Sequence, residues 1–309
     1  MRLVERIARA AVLALAGIAC CAMAQDENTV PVPSAPAELG GTLAKVRQSG
    51  AIALGYRESS IPFSYKGPRG EPIGYSVELC KALVTSIEAA IHRSLAIRWV
   101  PVTSDNRIEA VAGGRVDVEC GSTTANLERR RQVAFSPIVF VAGTKVMVKK
   151  GSPIRDFRAL AGKAVAVTAG TTNGQVLRRL SEKFGLGIRL TVTRDHAEGF
   201  AKVASGEADA FATDDVLLYG LIAENNAKGS FQVVGDYLSY DPYGLMFRKD
   251  DPQFAQVVKD SFQALAADGE IERQYKRWFL NRLPSGASLD LPMSAQLEAI
   301  LETMALKSE

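Results

Sequence analysis

The run Cys120-Gly121-Ser122-Thr123-Thr124-Ala125-Asn126-Leu127-Glu128-Arg129 places three hydroxyls and a guanidinium directly behind Val116-Asp117-Val118-Glu119, which reads as a short strand. Where a strand hands over to a helix, unpaired backbone N–H groups and neighbouring hydroxyls can hold an anion. Asn126 is positioned to cap such a helix, which the pattern predicts over Glu128, Arg129 and Arg130. Alone, the same residue types would serve as an ordinary turn. They are accompanied, however, by Arg57, Ser104 and Arg107 behind earlier apolar stretches, and by Thr172, His196 and Asp214 behind later ones. Each has a plainer use singly: a solvated arginine, a packed histidine, an aspartate capping a helix. Their joint occurrence at strand ends is harder to explain by these plainer uses than any one of them.

The elements that must carry these residues read as a repeated strand, polar loop and amphipathic helix, the pattern of an α/β sheet covered by helices. Residues 51–56 form a strand ending on Arg57, residues 76–91 a helix, and residues 95–102 a strand delivering Ser104 and Arg107. A helix from Ile108 to Ala112 is stopped by Gly113-Gly114. The β-branched run 138–148 is too long for one strand of a compact sheet and is expected to cross between two lobes. A second series comes next: strand 164–167 before Thr172 and a helix to about Phe184, strand 188–192 before His196, and strand 208–212 before Asp214. Residues 243–248 are the expected return crossing. Residues 254–279 read as a long helical region and residues 294–304 as a last amphipathic helix. In open α/β sheets, ligands bind beyond the carboxyl ends of the strands, where all nine singled-out residues fall.

Residues 1–24 combine a basic start, an apolar run from Ala10 to Cys21 and Ala22-Met23-Ala24, which is the pattern of an export signal cleaved after Ala24. Lipid attachment at Cys20 or Cys21 is the alternative processing, and both positions match its pattern poorly. The apolar run is too short to span a bilayer, and no other comparable run exists, so a soluble exported protein is expected. Cleavage removes three arginines and one glutamate, taking the net charge from +3 to +1. Such near-neutrality argues against a nucleic-acid partner. Residues 25–40, with three prolines and little periodicity, read as a flexible leader. Cys80 and Cys120 then remain in an oxidising compartment, either paired or as buried thiols. With His92 and His196 the only histidines, no metal cluster is expected, and no cofactor.

The same residues carry a resemblance. Residues 57–65, Gly74-Tyr75-Ser76, Ser104-Asp105-Asn106-Arg107, the run 119–124 with Glu128-Arg129, Gly170-Thr171-Thr172, Asp195-His196, Asp214-Asp215 and residues 248–254 resemble the periplasmic glutamate/aspartate-binding proteins of bacterial ABC transporters. The likeness spans residues 41–295 in order and at similar spacing. It implies the type II periplasmic binding fold, two α/β lobes joined by two crossing strands, with lobe 1 formed by residues 41–141 and 244–309 and lobe 2 by residues 142–243. It assigns Arg129, Thr124 and Thr172 to the α-carboxylate of a bound L-glutamate or L-aspartate. Asp214, helped by Ser122 and Thr124, takes the α-ammonium, and Arg57, Arg107, Ser104 and His196 take the side-chain carboxylate. Asn173-Gly174 stands where the pattern has Ser-Glu, and Thr213 replaces an apolar residue before Asp214.

The implied partner is an inner-membrane permease, and the implied state a monomer. Three arginines against one aspartate would leave the site net positive, which suits a net-anionic ligand. Two other function classes are the alternatives: a periplasmic dehydratase of cyclic acids, for which Glu58 and His196 are the available acids, and an amino-acid-sensing module, expected as a freestanding unit that presents ligand to a receptor because the sequence shows no signalling segment before Glu309.

Overall fold

The computed structural model describes residues 38–306; the export signal and most of the expected leader lie outside the described residues. Two five-stranded mixed sheets organise the rest. The first has the order Ala96–Pro101, Ala51–Tyr56, Val118–Glu119, Met246–Arg248, Val133–Phe135. The second has the order Arg189–Thr193, Ala164–Thr168, Ala210–Asp214, Thr144–Lys149, Phe231–Val234. In each, the first three strands run parallel and the last two attach antiparallel. The two sheets are thus the same arrangement twice, as the doubled sequence pattern requires.

A third, two-stranded ladder pairs Phe140–Ala142 with Asp241–Tyr243, Asp241 facing Ala142 and Tyr243 facing Phe140. The run 138–148 is therefore not one continuous crossing strand. It breaks at Gly143, where any side chain would strike the carbonyl of Ser239, and resumes as Thr144–Lys149 in the second sheet. The expected return crossing likewise divides, into Asp241–Tyr243 and Met246–Arg248.

An aromatic cluster backs the two-stranded ladder. Phe63 meets Phe140 and Tyr243 edge-on with centroids 4.9 and 5.2 Å apart, and Phe140 stacks on Phe279 at 5.0 Å. Tyr275 stacks on Phe279 at 4.4 Å. Such pairs contribute roughly 0.5–1.5 kcal/mol each beyond their burial. This is what the C-terminal helical region does: it packs its aromatic face against the crossing strands. That region is not one helix but Pro252–Ala267, Glu270–Tyr275 and a π-helical turn Lys276–Leu280, interrupted where Gly269 takes a left-handed conformation.

Cys80 and Cys120 are joined by a disulfide that ties the helix Tyr75–Ile91 to the end of the strand Val118–Glu119. The N-terminal helix Gly41–Ser49, for which the sequence shows little amphipathic signal, is anchored by Asp251, whose Oδ2 accepts from the Thr42 amide at 2.7 Å. Among the described residues no helix is long and apolar enough to cross a membrane, and no cluster of three or more metal-ligating side chains forms.

Candidate functional site

The parallel strands of the two sheets deliver the singled-out residues to one place. A small, nearly closed cavity is lined by Ser104, Arg107, Ser122, Thr124, Arg129, Thr171, Thr172, Asn173, His196, Asp214 and Leu217. Eight of the nine sequence-derived site residues are walls of this one cavity. The ninth, Arg57, lines an adjoining cleft with Glu58 and Asp195, and its Nη2 donates to Ser104 Oγ, which does line the cavity. All nine are buried except Thr172, which is partly so.

Ser104 and Arg107 lie beyond the strand Ala96–Pro101, the latter as the first residue of the short helix Arg107–Ala112. Arg107 reaches across to the Gly170 carbonyl at 3.4 Å, and Arg129 donates to the same oxygen at 3.2 Å and to the Thr124 carbonyl at 3.0 Å. Gly170 has a positive φ, and a side chain there would strike the backbone of Ser104 and Asp105, so only glycine fits this approach of the two strand-end loops.

One expectation fails locally. Asn126 Oδ1 does accept from the Arg129 amide at 2.9 Å, but the capped segment is a single 3₁₀ turn, Arg129–Arg131, because the strand Val133–Phe135 begins two residues later. No helix N-terminus exists there to hold an anion. The helix that does open at the cavity is Thr172–Phe184, whose first-turn amides lack intrahelical partners by construction.

Asp214, the last residue of its strand, is held from two sides. Asn173 Nδ2 donates to its Oδ1 at 2.7 Å, and the Tyr243 hydroxyl donates to its Oδ2. Burial, reinforced by the carboxylate of Asp241, nevertheless raises the Asp214 carboxyl to about 7. His196 Nδ1 hydrogen-bonds to Thr168 Oγ1 at 2.9 Å; burial and the charges of Arg57 and Arg107 push its pKa well below the usual range, so the ring is neutral. Burial also disfavours the charged forms of Arg107 and Arg57, and Arg129 adds like-charge repulsion to both.

Sequence reasoning missed two acids, and with them the charge balance. Glu119 is fully buried, its Oε2 accepting from Thr123 Oγ1 at 2.8 Å and its Oε1 packed with the Arg57 stem against Gly121. Asp241 is equally buried and accepts from Thr124 and Thr172. Three guanidiniums therefore face three carboxylates, not one, and the expected net positive site is corrected. What the cavity could offer an anion depends on placement instead: Arg107 and Arg129 line it, whereas Glu119 and Asp241 do not. Arg57 Nη1, Arg107 Nε and Ser122 Oγ are buried without a protein partner, donors that an anion can satisfy. Nothing short-range in the sequence marks Glu119 or Asp241; their role depends on packing between distant segments.

Residues 52–281 match the bacterial extracellular solute-binding proteins, family 3. The chain is 39% identical over 294 residues to the glutamate/aspartate import solute-binding protein of Escherichia coli, covering 94% of this chain and 95% of that one. It is 41% identical over 267 residues to the L-glutamate/L-aspartate-binding protein of Pseudomonas aeruginosa, covering 85% and 88%. Among solved structures, an ancestral arginine-binding protein bound to arginine aligns with a TM-score of 0.68 at 27% identity, covering 74% of this chain and 98% of that one. The ancestral amino acid-binding protein AncCDT-1, a precursor of cyclohexadienyl dehydratase, aligns with a TM-score of 0.66 at 30% identity, covering 77% and 99%. With its doubled α/β sheets, crossing strands and strand-end cavity, this chain belongs to the bacterial extracellular solute-binding proteins, family 3, and has their type II periplasmic binding fold.

Proposed function

We propose that the protein is the periplasmic solute-binding component of an ABC importer, that it binds L-glutamate or L-aspartate in the strand-end cavity, and that it delivers the ligand to an inner-membrane permease. The observation that carries this reading is the shared wall: Arg107, Arg129 and Asp214 line one small cavity with orphaned donors beside them. Two guanidiniums and a carboxylate match two carboxylates and an ammonium. The E. coli and P. aeruginosa relatives are named for the same ligands.

Arg129 serves the α-carboxylate, Asp214 the ammonium, and Arg107, Arg57, Ser104 and neutral His196 the side-chain carboxylate. Glutamine is disfavoured because its amide NH₂ would face guanidinium donors that cannot accept. Lobe 1, residues 41–141 and 244–309, closes on lobe 2, residues 142–243, by bending at the two-stranded ladder, with ligand favouring the closed form. The protein acts as a monomer.

A dehydratase reading finds less support. Glu58 is exposed and paired with Lys66, it is not a wall of the cavity, and Leu217 is the only large aliphatic side chain among those walls. A thermal-shift panel of the common amino acids tests the proposal. Glutamate or aspartate at about a hundred times its Kd should stabilise by roughly 2.7 kcal/mol. A panel in which neutral or basic amino acids give the larger shifts would refute it.

A further inference from the structure

Three hydroxyls converge on Asp241. Its Oδ1 accepts from Thr124 Oγ1 at 3.0 Å and from Thr172 Oγ1 at 2.9 Å, and its Oδ2 accepts from Ser239 Oγ. Asp241 is 2% exposed and is not among the cavity walls, whereas Thr124 and Thr172 are. The three come from separate segments: Thr124 from the loop after Val118–Glu119, Thr172 from the first position of the helix Thr172–Phe184, and Asp241 from the crossing ladder.

A threonine hydroxyl has one proton and two lone pairs, and an ionised carboxylate can only accept. With their protons committed to Asp241, Thr124 and Thr172 have only lone pairs left to offer the cavity. They cannot then donate to an α-carboxylate, the role the family resemblance assigns to Thr172 and one of the two it assigns to Thr124. We infer that Asp241 is a positioning residue that fixes the polarity of the site: by taking both threonine protons it turns Thr124 and Thr172 into acceptors for the ligand's ammonium. This inference rests on the amino-acid-binding reading above.

The consequence is a defined division of labour. An ammonium has three N–H donors, and Thr124 Oγ1, Thr172 Oγ1 and Asp214 are three acceptors in the same cavity wall. The α-carboxylate falls instead to the Arg129 guanidinium and to backbone amides. The Thr172–Phe184 helix supplies first-turn amides. The isolated bridge between Thr124 and Tyr243 does not draw on the Thr124 amide: it uses the Ala125 and Gly244 amides, which donate to the Pro242 and Thr123 carbonyls.

The test compares L-glutamate with glutarate, which has the same two carboxylates and no ammonium. Affinities are measured by calorimetry, or by competition for the weaker ligand. Thr172→Val should weaken glutamate about tenfold and leave glutarate within about twofold, and Thr172→Ser should restore glutamate. Asp241→Asn should narrow the glutamate-to-glutarate ratio in the same direction by about tenfold, with the unliganded thermal midpoint recorded as a folding control. Equal losses for both ligands in Thr172→Val would show a donor to carboxylate and overturn the inference. So would parallel losses, or none, in Asp241→Asn. Should Asp241→Asn not fold, the Thr172 pair of variants decides alone. Wild-type protein that binds no acidic amino acid would sink the functional reading itself; wild-type binding with parallel losses would sink only this inference.

Discussion

Asn173 Nδ2 donates to Asp214 Oδ1 at 2.7 Å and to Thr144 Oγ1 at the same distance, so the residue that departs from the family pattern is the one that orients the proposed ammonium acceptor. It is 1% exposed, and Thr213, another departure, donates to its amide oxygen at 3.4 Å. Two of the three departures are thus joined in one interaction.

Asn173→Ala removes that donor and leaves a buried carboxylate oxygen short of a partner, a cost of about 1–3 kcal/mol. Glutamate affinity at pH 7 should fall roughly tenfold, since about 1.4 kcal/mol is tenfold in binding. Because the lost hydrogen bond favoured the charged form, the pH at which affinity declines should also move upward. Titration calorimetry across pH would show this, and an unmoved profile with unchanged affinity would contradict it.

For the wild type, an Asp214 carboxyl raised to about 7 by burial and Asp241 must lose its proton to accept an ammonium. Glutamate affinity should therefore fall as pH drops below about 7, approaching tenfold per pH unit, with proton release on binding. The unliganded fold responds oppositely. Since Asp214 holds its proton in the folded chain above the ordinary 3.8, folding takes up a proton between about 4 and 7, and stability from this group declines as pH rises through that window. Affinity measured at about pH 5.5, 7 and 8 checks the first statement, and unfolding of the unliganded protein between about pH 4 and 8 checks the second.

Arg107→Ala should cost on the order of 2–5 kcal/mol of glutamate binding, because a buried carboxylate loses its partner. Arg107→Lys should recover only part of this, a point charge lacking the planar fork. Calorimetric affinities equal to wild type would remove Arg107 from the side-chain carboxylate pole.

The Cys80–Cys120 disulfide closes a 40-residue separation and ends two residues before Ser122. Its effect is expected on stability first. Replacing both cysteines with alanine should lower unfolding free energy by on the order of 2–4 kcal/mol, read by denaturant titration with and without glutamate. If the double variant is as stable as wild type, the cross-link contributes nothing to the fold.

The sequence makes local features legible and distant ones illegible. Arg57, Arg107, Ser122, Arg129, Thr172, His196 and Asp214 announce themselves because each comes after an apolar strand-like run, and the parallel sheet converts that position into proximity. Glu119 and Asp241 carry no such mark. Glu119 reads as part of the strand that precedes the hydroxyl run, and Asp241 sits in a Ser-Tyr-Asp-Pro segment that resembles a turn, yet each becomes a buried acceptor once distant segments meet. The helix expected after Asn126 fails for a related reason: its cap is real, but the partner strand that claims Val133–Phe135 for the first sheet is Met246–Arg248, over a hundred residues away. The single crossing strand read from residues 138–148 breaks at Gly143 because of the approach of Ser239, again a tertiary contact.

The central claim is that one cavity pairs guanidiniums with two carboxylates and an aspartate with one ammonium. Titration calorimetry of the wild-type protein at about pH 8, above the Asp214 transition, with L-glutamate, L-aspartate and L-glutamine tests it most directly. The predicted result is saturable one-to-one binding of glutamate or aspartate at least about a hundredfold tighter than glutamine, a difference of roughly 2.7 kcal/mol. Glutamine bound as tightly as the acidic pair, or no binding of either acid, would contradict it.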